Sequence, residues 1–147
     1  MTAGRFANVS ATAGPYFQGK YEGRGLASGD LDGDGDLDVI ITHLERPAVV
    51  LWNETPNAGG SVILELVGKA PNTDAIGATI TAKVGERTLI RSIDGGGGYI
   101  GSHAKAVHVG IGAAKAMDRV EVRWPSGKVE VREGVKAGSR LKWTEVR

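Results

Sequence analysis

"DRVEVRWPSGKVEVREG", residues 118–134, decides the class of fold. Valines alternate with charged residues on both sides of a Pro-Ser-Gly turn, the period-2 pattern of half-buried strands. With the turn centred on Ser126 and Gly127, Trp124 faces Val129, Val122 faces Val131, Arg123 faces Glu130 and Glu121 faces Arg132. Apolar pairs then share one face and opposite charges the other. A slip of one residue would bury charges, so this register is the expected one. The charged side reads as a solvated sheet face, not as a binding patch.

The rest of the chain repeats the theme. "LDVIITH", "AVVLWNE", "SVILELVG", "AIGATITAKVG", "RTLIRSI", "KAVHVGIG" and "SRLKWTEV" are rich in Val, Ile and Thr and bounded by Gly, Pro, Asn or Asp. Twenty-three glycines against five prolines punctuate short strands better than long helices. Only "GIGAAKAMDRV" has a helical flavour. The expected fold is all-β, a sandwich or barrel.

Composition narrows the function. The 147 residues suit one domain or two small ones. Eighteen Lys and Arg against seventeen Asp and Glu leave a net charge of +1, which excludes nucleic-acid binding through bulk charge. The absence of cysteine excludes disulfides and thiolate metal sites. No apolar run reaches the roughly 18 residues of a membrane span. The opening "MTAGRFANVS" lacks a charged segment followed by an apolar one, so no signal peptide is read there. The expectation is a mature or excised piece of a longer protein, or else a cytoplasmic chain.

The second informative stretch is "GDLDGDGDLDVIIT", residues 29–42. Asp30, Asp32, Asp34, Asp36 and Asp38 stand at every second position, and the charge then stops at Val39. Alternate side chains of an extended or looped segment point the same way, so these carboxylates can converge. Gly33 and Gly35 permit the backbone a wrapped loop needs. Carboxylates this close repel unless a cation neutralises them, and calcium, which takes six to eight oxygens, is the expected one. Magnesium prefers a smaller octahedron, and zinc lacks nitrogen and sulfur ligands here. The helix–loop–helix calcium motif does not fit, because its position 12 would be Ile41, not Glu. Side-chain oxygens are assigned to Asp30, Asp32, Asp34 and Asp38, and a backbone carbonyl to Asp36. Leu31 and Leu37 are expected to anchor the loop ends in the core.

"GLASGDLDGDGDLDVIITH" resembles the calcium loop of FG-GAP/VCBS repeats, the blades of integrin-type β-propellers. "FANVSATAG", residues 6–14, resembles the lead-in to the last such repeat in bacterial relatives of cartilage acidic protein. "NTDAIGATITAKVG", "VHVGIGAA" and "DRVEVRWPSGKVEV" are similar to the ASPIC/UnbV domain that follows it. The resemblance implies a propeller-blade-like repeat over residues 1–57 and an ASPIC/UnbV β domain over 58–147. It further implies an extracellular or cell-surface setting, structural calcium, and adhesion to a protein or glycan ligand without enzymatic activity. One blade cannot close a propeller, which needs about four to eight. An exposed sheet edge is therefore expected, open to self-association.

Other candidates are weaker. His43, His103 and His108 do not have the spacing of a zinc site, and the last two would lie on opposite faces of a strand. "DGGGGYIGS", residues 94–102, lacks the Lys-Ser/Thr ending of a phosphate loop and reads as a connection. Tyr99 in it either packs back or stands out. Trp52, Trp124 and Trp143 read as core or rim anchors. The alternative function is an accessory or catalytic part of a larger secreted carbohydrate-active hydrolase, which requires a second acidic or basic group facing the aspartates across a cleft.

Overall fold

The computed structural model describes residues 6–56, 59–99 and 101–146. Among the described residues there are twelve strands, most of them on the glycine-punctuated apolar runs, and no α-helix. β1 (Gly23–Gly29), β2 (Asp38–His43) and β3 (Val49–Leu51) make an antiparallel three-stranded sheet. β4 (Gly60–Val67), β9 (Val107–Gly112) and β12 (Arg140–Thr144) make a second, in the order β12-β4-β9. β5 (Thr79–Val84), β6 (Arg87–Ser92), β10 (Ala116–Arg123) and β11 (Val129–Lys136) make a third, in the order β11-β10-β5-β6. β7 (Gly97–Gly98) and β8 (Gly101–Ser102) form a small ribbon. The stretch read as faintly helical is the end of β9 and the start of β10. "GRGLASG", which carries no alternating signal, becomes β1.

The second and third sheets form a sandwich. Val62, Leu64 and Leu66 of β4, Val107, Val109 and Ile111 of β9, and Trp143 of β12 share one buried cluster with Ile80, Ala82 and Val84 of β5 and Val120 and Val122 of β10. Each Val, Ile or Leu side chain fully buried there contributes about 1.5–3 kcal/mol. Exposed pairs such as Arg119–Glu121 contribute far less, so the apolar cluster holds the fold. Trp124 and Trp143 are 1% and 2% exposed, as core anchors should be. Trp52, beyond β3, is 54% exposed and anchors no core.

The β10–β11 hairpin differs from its expected register by one residue. Arg123 faces Val129, Val122 faces Glu130, Glu121 faces Val131 and Val120 faces Arg132. The turn is the cause. Gly127 N–H bonds the Trp124 carbonyl (2.9 Å), Trp124 N–H bonds the Lys128 carbonyl (2.8 Å), and Gly127 has φ +88°. That is a three-residue loop ending in a left-handed glycine, one residue longer than the assumed turn. Val129 and Val131 consequently face out, while Glu130 and Arg132 face Trp143 of the other sheet. Glu130 accepts the Trp143 indole N–H (2.8 Å) and the Val146 backbone N–H (2.9 Å), and the Arg132 guanidinium lies 4.4 Å from the Trp143 ring centre. The charges that a slip was expected to bury are thus satisfied by β12, the next strand in the chain, which lies in the other sheet. Burial pushes the Glu130 carboxyl up, but the bonds from Val146 and Trp143 and the charge of Lys128 outweigh it and hold it below the ordinary carboxylate value.

A carboxyl held low stabilises the fold fully above its unfolded-state pKa, and the benefit disappears as pH falls through its folded-state value. Glu130→Gln is expected to cost about 1–2 kcal/mol at pH 7 in urea unfolding. The gap between variant and wild type should close as the pH drops below the usual carboxylate range.

Candidate metal centre

The aspartate loop joins β1 to β2, which pair antiparallel with Gly29 opposite Asp38. Its neck is closed by a carboxylate. Asp38 is 2% exposed; its Oδ2 accepts the Leu31 N–H and its Oδ1 the Asn53 N–H, both at 2.9 Å. Within the loop Asp30, Asp32 and Asp34 cap backbone a few residues on. Asp30 Oδ1 accepts the Gly33 N–H (2.8 Å) and Gly35 N–H (3.5 Å), Asp32 Oδ1 the Asp34 N–H (3.1 Å), and Asp34 Oδ1 the Asp36 N–H (2.8 Å). Such local bonds are why Asp suits a tight loop. Gly33 and Gly35 take φ +84° and +94°, where a side chain would be strained.

The winding brings three of the five carboxylates together. Asp30, Asp32 and Asp38 each offer an oxygen, and these lie within 4.8 Å of one another. Asp34 and Asp36 stand outside that trio and line a cleft of about 200 Å³ with Asp30, Ser61 and Arg140. The trio is hard oxygen only, the donor chemistry that suits calcium and not zinc. At its rim, Arg140 Nη1 lies 3.4 Å from Asp30 Oδ2, while its Nε donates to Glu65 Oε1 at 2.6 Å. The bond to Glu65 raises the Arg140 pKa, and Asp30 adds to the effect. The donor set fits an oxygen-seeking divalent cation, with one guanidinium in competition.

Leu31 and Leu37 do not anchor the loop, being 45% and 38% exposed. The polar neck at Asp38 does that work, helped by a contact sequence reading missed. The Gly35 carbonyl accepts the Ser61 hydroxyl (2.6 Å) and His108 Nε2–H (2.7 Å) from the sandwich. The one available signal was in "SVILELV", too continuously apolar for a strand with a wet face. The other histidines have separate partners. His43 bonds the Tyr16 hydroxyl (2.8 Å) and the Pro47 carbonyl (3.1 Å), and His103 Nδ1 accepts the Ser28 N–H (3.1 Å). The glycine-rich segment pairs β7 with β8, with Tyr99 standing 65% exposed at its tip.

Fold and sequence together define the class. Residues 68–147 match the family model described as ASPIC and UnbV, and the chain belongs to that family. β4 precedes the matched segment yet is the middle strand of its sheet. The chain is also similar to cartilage acidic protein 1 of Mus musculus, at 38% identity over 117 residues, and of Homo sapiens, at 38% over 115 residues. The Xenopus tropicalis protein of that name is 36% identical over 115 residues. These alignments cover 74–75% of this chain and 17% of each relative, so the chain corresponds to a small part of their length.

Asp38→Ala leaves two backbone N–H groups without their acceptor, and in EDTA it should cost about 2–3 kcal/mol by urea unfolding. Asp34→Ala, which removes one exposed cap, should cost under about 1 kcal/mol in the same buffer.

Proposed function

We propose that the chain is a calcium-holding, non-enzymatic binding module of an extracellular protein, with residues 1–57 as the metal-bearing repeat and 58–147 as the domain it docks on. The observation that carries this reading is the convergence of Asp30, Asp32 and Asp38 within 4.8 Å. Asp30, Asp32 and Asp38 would hold the ion, with Asp34 and Asp36 adding negative potential along the adjoining cleft. When bound, the ion cancels the repulsion of the carboxylates and fixes the loop. The loop's own hydrogen bonds already set its course, so ordering is completed by the cation rather than created by it. The fixed loop, set where the β1–β3 sheet meets the sandwich, would then present a protein or glycan ligand with an ordered surface. The relatives' name, which refers to cartilage, supports an extracellular setting, where weak calcium sites with Kd on the order of 10⁻⁴ to 10⁻³ M fill.

A hydrolase reading asks for two groups able to exchange a proton across the cleft. The acids lining it all sit on one loop, and the cation opposite, Arg140, does not deprotonate in proteins. That favours binding over hydrolysis.

Calcium at a hundredfold excess over its Kd should raise the melting temperature above that in EDTA by about 5–10 °C, with magnesium less effective. Asp32→Ala should abolish the shift. An identical melt in calcium and EDTA removes the metal from the account.

Arg140→Met should tighten calcium binding about two- to fivefold in calorimetric titration, because a screened like charge leaves the rim. Weaker binding by this variant would assign Arg140 to holding the loop instead of opposing the ion.

A further inference from the structure

We propose that Ser61 and His108 are positioning residues that fix the aspartate loop on the sandwich through the Gly35 carbonyl, so that the loop's shape is set by the ASPIC/UnbV domain and not by the β1–β3 sheet alone. Sheet register places the parts. Arg140, Ile63 and His108 stand opposite one another in a single row across β12, β4 and β9. Ser61 lies two residues before Ile63 on the same face of β4. This is the face turned away from the apolar cluster, yet Ser61 and Ile63 are 9% and 6% exposed. Ile63 is not part of the sandwich core; it lines the cleft with Gly33, Asp34, Gly35 and Asp36. The loop therefore covers the first half of this face, at Ser61 and Ile63, and buries β4 there on both sides.

The chemistry of the contact is specific. A carbonyl oxygen only accepts, so His108 must carry its proton on Nε2, and the Ser61 hydroxyl must turn its hydrogen to the same atom. Two donors at 2.6 and 2.7 Å saturate the Gly35 oxygen. A Cβ on Gly35 would lie 3.2 Å from Ser61 Oγ, whereas one on Gly33 would meet nothing within 4 Å. The loop thus approaches the sandwich most closely at Gly35, and Asp34 and Asp36 flank the pinned atom. The consequence for calcium affinity rests on the function proposed above; the docking itself does not.

The test combines hydrogen exchange of loop amides in EDTA with calcium titration calorimetry, on the full chain. In Ser61→Ala/His108→Leu, the Gly33, Gly35 and Asp36 amides should exchange about tenfold faster while β5 and β10 amides keep wild-type protection. Calcium should bind about tenfold more weakly, within the usual range of coupling between sites. His108→Gln on a Ser61→Thr background keeps both donors and should recover protection and affinity. Gly33→Ala and Gly35→Ala strain the loop backbone alike, at φ +84° and +94°, but only Gly35→Ala also crowds Ser61, so it should lower β4 and β9 protection beyond the level Gly33→Ala leaves. Unaltered loop exchange in the double variant with an intact sandwich overturns the proposal. If the wild type binds no calcium but the loop exchange responds as stated, the metal reading fails and the positioning role stands.

Discussion

The constraint on which this structure turns is that β4 must be covered on both faces. Val62, Leu64 and Leu66 enter the sandwich core, and Ser61 and Ile63 are buried on the other side under the aspartate loop. A buried face needs partners for its polar groups, and a loop rich in carbonyls must find donors when water leaves. The Gly35 oxygen meets both demands at once by taking hydrogens from Ser61 and His108. Contacts of Ser28 with His103 and Ala104 extend the same seam toward the glycine-rich ribbon. The β1–β3 sheet and the sandwich are therefore joined by polar contacts with defined donors and acceptors.

Polar joints of this kind are selective more than strong. A hydrogen bond formed on folding contributes about 1 kcal/mol, but an orphaned buried partner costs 1–3 kcal/mol. The loop can be held in one place without being held tightly, which suits a segment that carries five carboxylates in nine residues. Arg140 illustrates the same balance. It contacts Asp30 at 3.4 Å but gives its shorter bond to Glu65, so it moderates the acidic potential without filling the space between the carboxylates.

Much of the strand content was legible because alternation is a local signal. β2, β4, β6, β9 and β12 fall on the Val- and Ile-rich runs almost residue for residue. β1 was not legible, since "GRGLASG" has little side chain with which to show a period. The hairpin register was misread because it depends on Gly127 taking a left-handed conformation and on Glu130 finding Trp143 thirteen residues away. Alternation in the sequence showed which residues share a side of the strand but not which side was inward. The aspartate pattern was legible as a loop, yet Leu31 and Leu37 misled: apolar character alone did not reveal that Asp38 is what closes the neck. The docking partners Ser61, His108 and Arg140 lie 26, 73 and 110 residues from the loop atoms they meet, beyond the reach of any local pattern.

That last separation has a bearing on biosynthesis. β12 pairs parallel with β4 and carries Arg140 into the row beneath the loop. A ribosome adding 5–20 residues each second emits Asp30 roughly 5–20 s before Arg140. For that interval the acidic hairpin lacks the Arg140 contact at its rim, and β4 lacks one of its two neighbours. β12 joins β4 after the loop's docking residues Ser61 and His108 are already made, so a nascent chain spends seconds with an open β4 margin that the finished molecule hides.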